Sequence, residues 1–575
     1  MKWWIAFGIV VGLSHPVAAQ RWQDATAPCL GTTSETGQEW ANKVEVADVD
    51  GDGRIDILFA NGGDYDTVGA NQPARVFGNA GSGACTDISA TAVGGFSGHS
   101  RMIKAADIDG DGDLDILTGG AYQSQLRLFV RDSVNHTWTD ATAQLPQQLT
   151  SIGDAEFGDV DGDGDLDIVL ADWGAKSPGS PSYVGGQTRL YLNDGSGHFT
   201  DATSQLPTAL VAWSWDMELV DVDNDFDLDI LVSCKLCDHQ FLFLNDGTGH
   251  FTDASTQLPT ATNNYEFEPM DIDGDGDLDL ITLNTGPDSK SRLFVNDGHG
   301  NFTDETAARI AASANPGADD NAAVWLDVDA DGDADLLIAS LSGPERLLIN
   351  DGSGHFTLAA GSSTPDDTPG SLGIAVADLD GDGRLDVVQS QGEEGFGDKV
   401  QLATAAVAVD TAAPVISNVQ VVAAGSIVHA RVHDHQSPSH LHDWQAVQLV
   451  PDGSAGDAIA MQWYGEYLWS ALLPAGATSY QVCATDRAGN HACSDSVAAG
   501  VGADTVAGTD AGGSGNPDQP DAGGAPGMHG GGGCCDTGGG DPRGGLLVLA
   551  LVAVSARTRR TRTGSGTPRR RRRSA

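Results

Sequence analysis

The chain has 575 residues, with 81 acidic against 30 basic side chains and a formal charge of −51. A body this acidic repels phosphate backbones, which argues against nucleic acid as a partner and favours small cations. The 75 glycines and 6% aromatic residues point to many turns, and 40% hydrophobic residues can supply the cores of two to four domains.

Lys2, the apolar run Trp3 to Leu13 and then Val17-Ala18-Ala19 read as a secretory signal peptide over residues 1–19, cut after Ala19. Export permits disulfides. Chain proximity favours Cys29–Cys85, Cys234–Cys237 and Cys483–Cys493, with other connectivities left open.

Seven copies of an acidic nonapeptide then recur about every 55 residues. The first is Asp48-Val-Asp50-Gly-Asp52-Gly-Arg54-Ile-Asp56. The second and third place Asp107, Asp109, Asp111, Asp113 and Asp115, then Asp159, Asp161, Asp163, Asp165 and Asp167, in the same frame. The fourth has Asp221, Asp223, Asp225, Asp227 and Asp229, and the fifth Asp271, Asp273, Asp275, Asp277 and Asp279. The sixth has Asp327, Asp329, Asp331, Asp333 and Asp335, and the seventh Asp378, Asp380, Asp382, Arg384 and Asp386. These loops hold 33 of the 81 acids.

An Asn-Asp-Gly turn follows several loops, at Asn193, Asn245, Asn296 and Asn350, with weaker forms near Asn79 and Asn135. Linking segments such as Asp201-Ala-Thr-Ser-Gln-Leu-Pro207 join the units. Within the sixth unit, Ala322–Leu326, Leu336–Ala339, Arg346–Ile349 and His355–Leu358 read as four short strands without helical periodicity. Four strands per unit suit a propeller blade, and seven units make seven blades. The seventh unit lacks its last strand, while Trp22-Gln-Asp24-Ala-Thr26 matches the missing Phe-Thr-Asp-Ala-Thr piece. The N-terminal segment is therefore expected to complete the last blade.

The nonapeptide has the chemistry of a calcium loop. Carboxylates at positions 1, 3, 5 and 9 and the backbone carbonyl of position 7, including those of Arg54 and Arg384, supply the hard oxygens that Ca²⁺ takes in sixes to eights. Four or five carboxylates held together without a cation would repel strongly. Asp-Gly pairs also favour plain turns, but seven copies in one fixed frame favour ligand loops. Up to seven Ca²⁺ are expected, with a weaker or empty site in the fourth loop, where Phe226 stands in place of glycine.

These loops and turns resemble FG-GAP/VCBS repeats, such as those of the integrin alpha-chain propeller, over roughly residues 22–405. The resemblance implies a seven-bladed β-propeller over 20–409 with Ca²⁺ between the first two strands of its blades. It also implies an adhesion or ligand-binding role.

Five short strands follow Asp410-Thr-Ala-Ala-Pro414, from Val415–Val422 to Tyr480–Ala484. The ending Tyr480-Gln-Val-Cys483-Ala-Thr-Asp486-Arg-Ala-Gly489 resembles bacterial Ig-like or FnIII-like modules, so the fold class is all-β, a propeller followed by a small β-sandwich over 410–500. His429, His433, His435, His440 and His442 suggest a metal site but read better as a polar strand edge. Residues 501–545 are Gly/Asp/Pro-rich and expected to be disordered. Cys534 and Cys535, the apolar Leu546–Val554 and the final arginines resemble a MYXO-CTERM sorting signal over 546–575. That resemblance implies tail removal and lipid anchoring through one of the two cysteines, at the surface of a Gram-negative cell.

Three functions follow: a calcium-stabilised surface module that binds an extracellular protein or glycan, a secreted polysaccharide lyase-like enzyme, or a structural envelope component. No His-Glu-x-x-His, Gly-x-Ser-x-Gly or Gly-Lys-Ser/Thr frame is present, no catalytic residue is assigned, and the binding role is favoured. Trp173, Trp213, Trp215, Tyr265 and Trp325 are candidates for stacking a ligand. Trp213 and Trp215 are expected on one side of a strand, with core packing the competing role.

Overall fold

A computed structural model describes residues 20–34, 39–62, 68–175, 185–360, 370–392, 395–422, 426–438 and 443–499. The signal peptide, the Gly-rich and sorting segments with Cys534 and Cys535, and His440 and His442 lie outside these residues. Among the described residues, no helix is long and apolar enough to cross a membrane.

Among the described residues up to Ala403, seven antiparallel sheets are each built on four strands, and Gln72–Pro73 pairs with Ser97–Gly98 as a separate two-stranded sheet. In the sixth, the strands are Asp320–Leu326, Asp335–Ser340, Arg346–Ile349 and Thr357–Leu358. Leu336, Leu337, Ile338 and Ala339 are all buried, because this strand is covered on both faces by neighbouring sheets. A continuous apolar run is what such a position requires. The first strands (Ala41–Ala47, Ser100–Ala106, Ile152–Gly158, Met217–Val220, Phe267–Met270, Asp320–Leu326 and Ser371–Ala377) adjoin one another in that order, and the last adjoins the first. The result is a propeller-like all-β ring.

The seventh sheet recruits its fourth strand from the other end of the chain. Trp22–Asp24 pairs antiparallel with Lys399–Ala403, Trp22 standing opposite Ala403. Trp22 is fully buried and its Nε1–H donates to the Leu385 carbonyl at 2.9 Å.

The linking segments form single capped turns. Thr142–Gln144, Thr203–Gln205 and Ser255–Gln257 are 3₁₀ turns, and Ser89–Ala92 and Thr306–Arg309 are one-turn helices. In each, an aspartate two residues before the turn's first residue accepts that residue's N–H, as Asp201 does from Thr203 at 3.0 Å. Asp24 does the same for Thr26 at 2.9 Å, so the N-terminal segment carries the cap as well as the strand. Disulfides join Cys29–Cys85, Cys234–Cys237 and Cys483–Cys493.

Residues 415–498 form two further antiparallel sheets. Val428, Ala430 and Val432 of one share a core with Val447, Leu449, Val482 and Ala484 of the other. The segment joining the ring to these sheets is held onto the ring: Ala408 N–H donates to Val328 O and Asp410 N–H to Gly383 O, both at 2.9 Å. The two sheets dock on the acidic-loop end of the ring. Asp159 N–H donates to Tyr464 O at 2.9 Å, Trp325 N–H to Ser437 Oγ at 2.8 Å and Tyr467 O–H to Pro269 O at 3.2 Å.

Acidic loops and an aromatic cleft at opposite ends of the ring

Each acidic loop joins the first and second strands of its sheet, and one hydrogen-bond plan shapes it. The position 1 carboxylate turns back to accept backbone N–H groups of the loop: Asp52 and Gly53 donate to Asp48 at 3.0 and 2.7 Å, and Asp111 and Gly112 to Asp107 at 3.1 and 2.9 Å. The position 5 carboxylate accepts the position 7 N–H, as Asp52 does from Arg54 and Asp382 from Arg384. Both arginine side chains also pair with that same carboxylate.

The position 9 aspartate is buried at the head of the second strand and clasps two elements. Asp56 accepts Asn79 N–H at 2.8 Å and Val49 N–H at 3.1 Å. Asp115, Asp167, Asp229, Asp335 and Asp386 repeat this clasp. Asp279 differs: Oδ1 accepts Asn296 N–H, and Oδ2 is buried with no hydrogen-bond donor.

The turn asparagines lock neighbouring units together. Asn193 Nδ2 donates to Leu166 O of its own unit and Ile108 O of the preceding loop. Asn245, Asn296 and Asn350 repeat the pattern, and Asn79 reaches Leu379 O of the seventh loop. In the second unit Arg131 takes this position, and its guanidinium reaches Asp50 O of the first loop at 2.5 Å.

Position 3 shows what the loops can hold. Asp109, Asp161, Asp223 and Asp273 each bury an Oδ1 that receives no hydrogen bond. The carboxylate oxygens of Asp48, Asp50 and Asp56 lie within 4.8 Å of one another, as do those of Asp107, Asp109 and Asp115, of Asp159, Asp161 and Asp167, and of Asp221, Asp223 and Asp225. Converging hard oxygens with unused lone pairs fit a calcium-class cation. Burial pushes the position 9 carboxyls up, to about 7 for Asp56 and Asp386 and about 8 for Asp115, Asp167, Asp279 and Asp335.

The fourth loop keeps its shape despite Phe226, which adopts φ 71° and still donates its N–H to Asp221 Oδ2 at 3.3 Å. The ring of Phe226 is buried 5.4 Å from His429 and its carbonyl accepts the Tyr464 hydroxyl. The aromatic residue thus serves the interface with the C-terminal sheets. From these sheets Arg431, fully buried, donates to Asp221 O at 2.9 Å, Asp221 Oδ2 at 3.2 Å, Asn224 Oδ1 at 2.8 Å and Gly276 O at 2.8 Å. Replacing one member of a buried ion pair strands the other. Arg431→Met is expected to cost about 3 kcal/mol of stability, read as a lowered denaturant midpoint. His433 and His435 pack together: His433 is buried against His435 and Tyr467, and burial lowers its imidazole to about 3.

The opposite end of the ring, where the first strands begin, carries a cleft of about 280 Å³ lined by Trp40, Asn42, Arg101, Trp215, Lys235, Tyr265, Asp319 and others. Trp215 and Tyr265 line it, while Trp173 and Trp213 are buried and pack against Trp215. Trp215 lies 5.1 Å from Trp173, 5.7 Å from Trp213 and 6.5 Å from Tyr265. Trp213 and Trp215 precede the Met217–Val220 strand instead of lying on it, and Trp213 has φ 60°. Trp325 is elsewhere, in the core beside Phe356. Arg101 Cζ sits 4.2 Å over the Trp215 ring and Lys235 Nζ 4.2 Å over the Tyr265 ring. Arg101, Lys235 and Tyr122 carry no local sequence signal, because each comes from a different loop or strand end. Rigid aromatic faces with flanking cations suit a sugar ring or an aromatic-rich peptide.

Below the cleft, the channel between the first strands is crossed by ion pairs. Lys43 Nζ reaches Asp154 at 3.0 Å and Asp216 at 2.9 Å, and Lys104 reaches Glu156 at 2.5 Å. Ser437 Oγ donates to Glu268 at 2.8 Å where the C-terminal sheets meet the channel.

Five stretches, residues 48–118, 180–232, 238–282, 271–338 and 327–388, match the FG-GAP-like repeat family. The chain carries FG-GAP-like repeats. No curated protein matches it. Among solved structures, it is similar to BBS1N in complex with ARL6DN (10% identity, 68% of this chain and 99% of that one, TM-score 0.39). It is also similar to the V. cholerae biofilm matrix protein Bap1 (14% identity, 84% and 76%, TM-score 0.30). A third is the extracellular domain of the hybrid two component system BT4673 from B. thetaiotaomicron (10% identity, 83% and 58%, TM-score 0.36).

Proposed function

We propose that this chain of FG-GAP-like repeats is a secreted, calcium-stabilised seven-bladed propeller capped by an Ig-like sandwich, and that it binds an extracellular protein or glycan. Up to seven Ca²⁺ occupy the acidic loops, and C-terminal sorting removes the tail and leaves the protein lipid-anchored at the surface of a Gram-negative cell. The observation that carries the binding role is the aromatic cleft with Arg101 and Lys235, set at the end of the ring away from the acidic loops. This arrangement separates a rigid, cation-held end from an end free to meet a ligand.

A glycan array combined with a pull-down from extracellular material tests this reading. Trp215→Ala is expected to weaken a captured ligand by about 2 kcal/mol, roughly thirtyfold, without moving the melting temperature by more than a few degrees. A ligand bound equally well by the variant would take the cleft out of the account. Turnover of a polysaccharide lost with one cleft substitution would make the protein an enzyme instead.

A further inference from the structure

We infer that the cleft reads a hexopyranose ring of a glycan, through one residue from each of the seven sheets. This inference rests on the binding role proposed above and narrows its ligand to a sugar.

The seven readers share one place in the repeat, six residues before the first aspartate of each acidic loop: Asn42, Arg101, Gly153, Trp215, Tyr265, Asn321 and Leu372. All seven line the cleft of about 280 Å³. In five sheets the pairing of the first two strands slips at this residue: between Ala41 and Lys43, Ser100 and Ile103, Ile152 and Ala155, Asp320 and Ala322, and Ser371 and Gly373. A bulge of this kind re-aims a side chain. In the other two sheets, Trp215 and Tyr265 stand two residues ahead of the paired strand. The acidic loops that follow are nearly constant, whereas these seven places hold six residue types. The ring is thus a fixed frame carrying a varied set of side chains.

That set has an apolar side and an amide side. Gly153 lets the apolar side close in, because a Cβ there would collide with Ser214 O and lie 3.4 Å from Trp215 Cα. The Trp215 and Tyr265 rings, inclined by only 22°, offer faces to the C–H face of a sugar. The first and sixth sheets bring the amides. Asn42 is 5% exposed, and its Nδ2 donates to Gly62 O at 2.9 Å and Ser100 O at 2.8 Å, which fixes the amide's orientation. Its buried Oδ1 receives no hydrogen bond from the described residues, and the buried Nδ2 of Asn321 donates to none of them. One acceptor and one donor left over in the same wall call for ligand groups that both donate and accept. Hydroxyls do both, whereas a carboxylate only accepts and an ammonium only donates. A pyranose, with an apolar face and a hydroxylated edge, meets both sides at once.

The test uses the full-length, calcium-loaded protein, with oligosaccharides of glucose, galactose, mannose and glucuronic acid as probes. Tryptophan fluorescence is the reading, since Trp215 lies in the wall. Saturable binding of at least one probe is expected, weakened about tenfold by Asn321→Ala. That variant serves even where Asn42→Ala, which also loses the bonds to Gly62 and Ser100, fails to fold. Sugar binding unchanged by Asn321→Ala would overturn the ring as the reader. Failure of every probe to bind would overturn the sugar assignment; a captured protein released by Trp215→Ala would then keep the cleft's binding role in place. Ligands indifferent to Trp215→Ala would remove both.

Discussion

A chain lacking residues 20–27 is expected to lose about 5 kcal/mol of stability or more, measured as a fall in the denaturant midpoint. Truncating a fully buried tryptophan to alanine alone costs about 3–5 kcal/mol, and Trp22 is fully buried with its Nε1–H bonded to Leu385 O. The deletion also removes three paired residues and the Thr26 contacts with Val400, exposing the edge of Lys399–Ala403. Trp22→Phe should recover most of the loss, because it keeps the buried ring and gives up one hydrogen bond. A deletion that left the midpoint in place would mean that the ring does not depend on this clasp.

Chelation is expected to have a still larger effect and to reverse the pH dependence of stability. One site filled at a hundredfold excess over Kd contributes about 2.7 kcal/mol, so three such sites rival the whole net stability of an ordinary domain, about 5–15 kcal/mol. Without the cation, the position 9 carboxyls are raised from 3.8 to about 7 or 8 by burial. A carboxyl raised in the folded state stabilises below the unfolded value, near pH 4, and that contribution is lost as pH rises through the folded value. The chelated protein should therefore melt higher at pH 5 than at pH 8. With calcium present the order reverses, because the ion binds the deprotonated loops and competes with protons at pH 5. Magnesium, which demands octahedral geometry and dehydrates reluctantly, should restore less than calcium. Equal melting curves with and without chelator at pH 8 would remove calcium from the loops.

Much of this architecture is legible in the sequence because it repeats locally. The nonapeptide, the Asn-Asp-Gly turn and the Asp-Ala-Thr link each describe a few consecutive residues, and the same hydrogen bonds recur wherever they do. Even the ring closure can be read, since Trp22 to Thr26 is a displaced copy of a repeated segment. The cleft is different. Arg101, Tyr122, Trp215 and Lys235 come from separate strands and loops and meet only because the ring brings strand beginnings together. Phe226 is an intermediate case: its departure from glycine is visible, but its reason lies in Tyr464, His429 and Arg431, some two hundred residues away. The fourth loop is also braced from outside by a guanidinium.

The clasp between Thr26 and Val400 spans 374 residues, which gives the molecule a timetable. At about 5–20 residues per second of synthesis, roughly 20 to 75 seconds separate the appearance of its two halves. Through that interval Trp22–Asp24 has no partner, and the growing row of sheets has two open edges. The first strand made is thus the last to be placed, and the order in which the protein matures runs opposite to the order in which it is written.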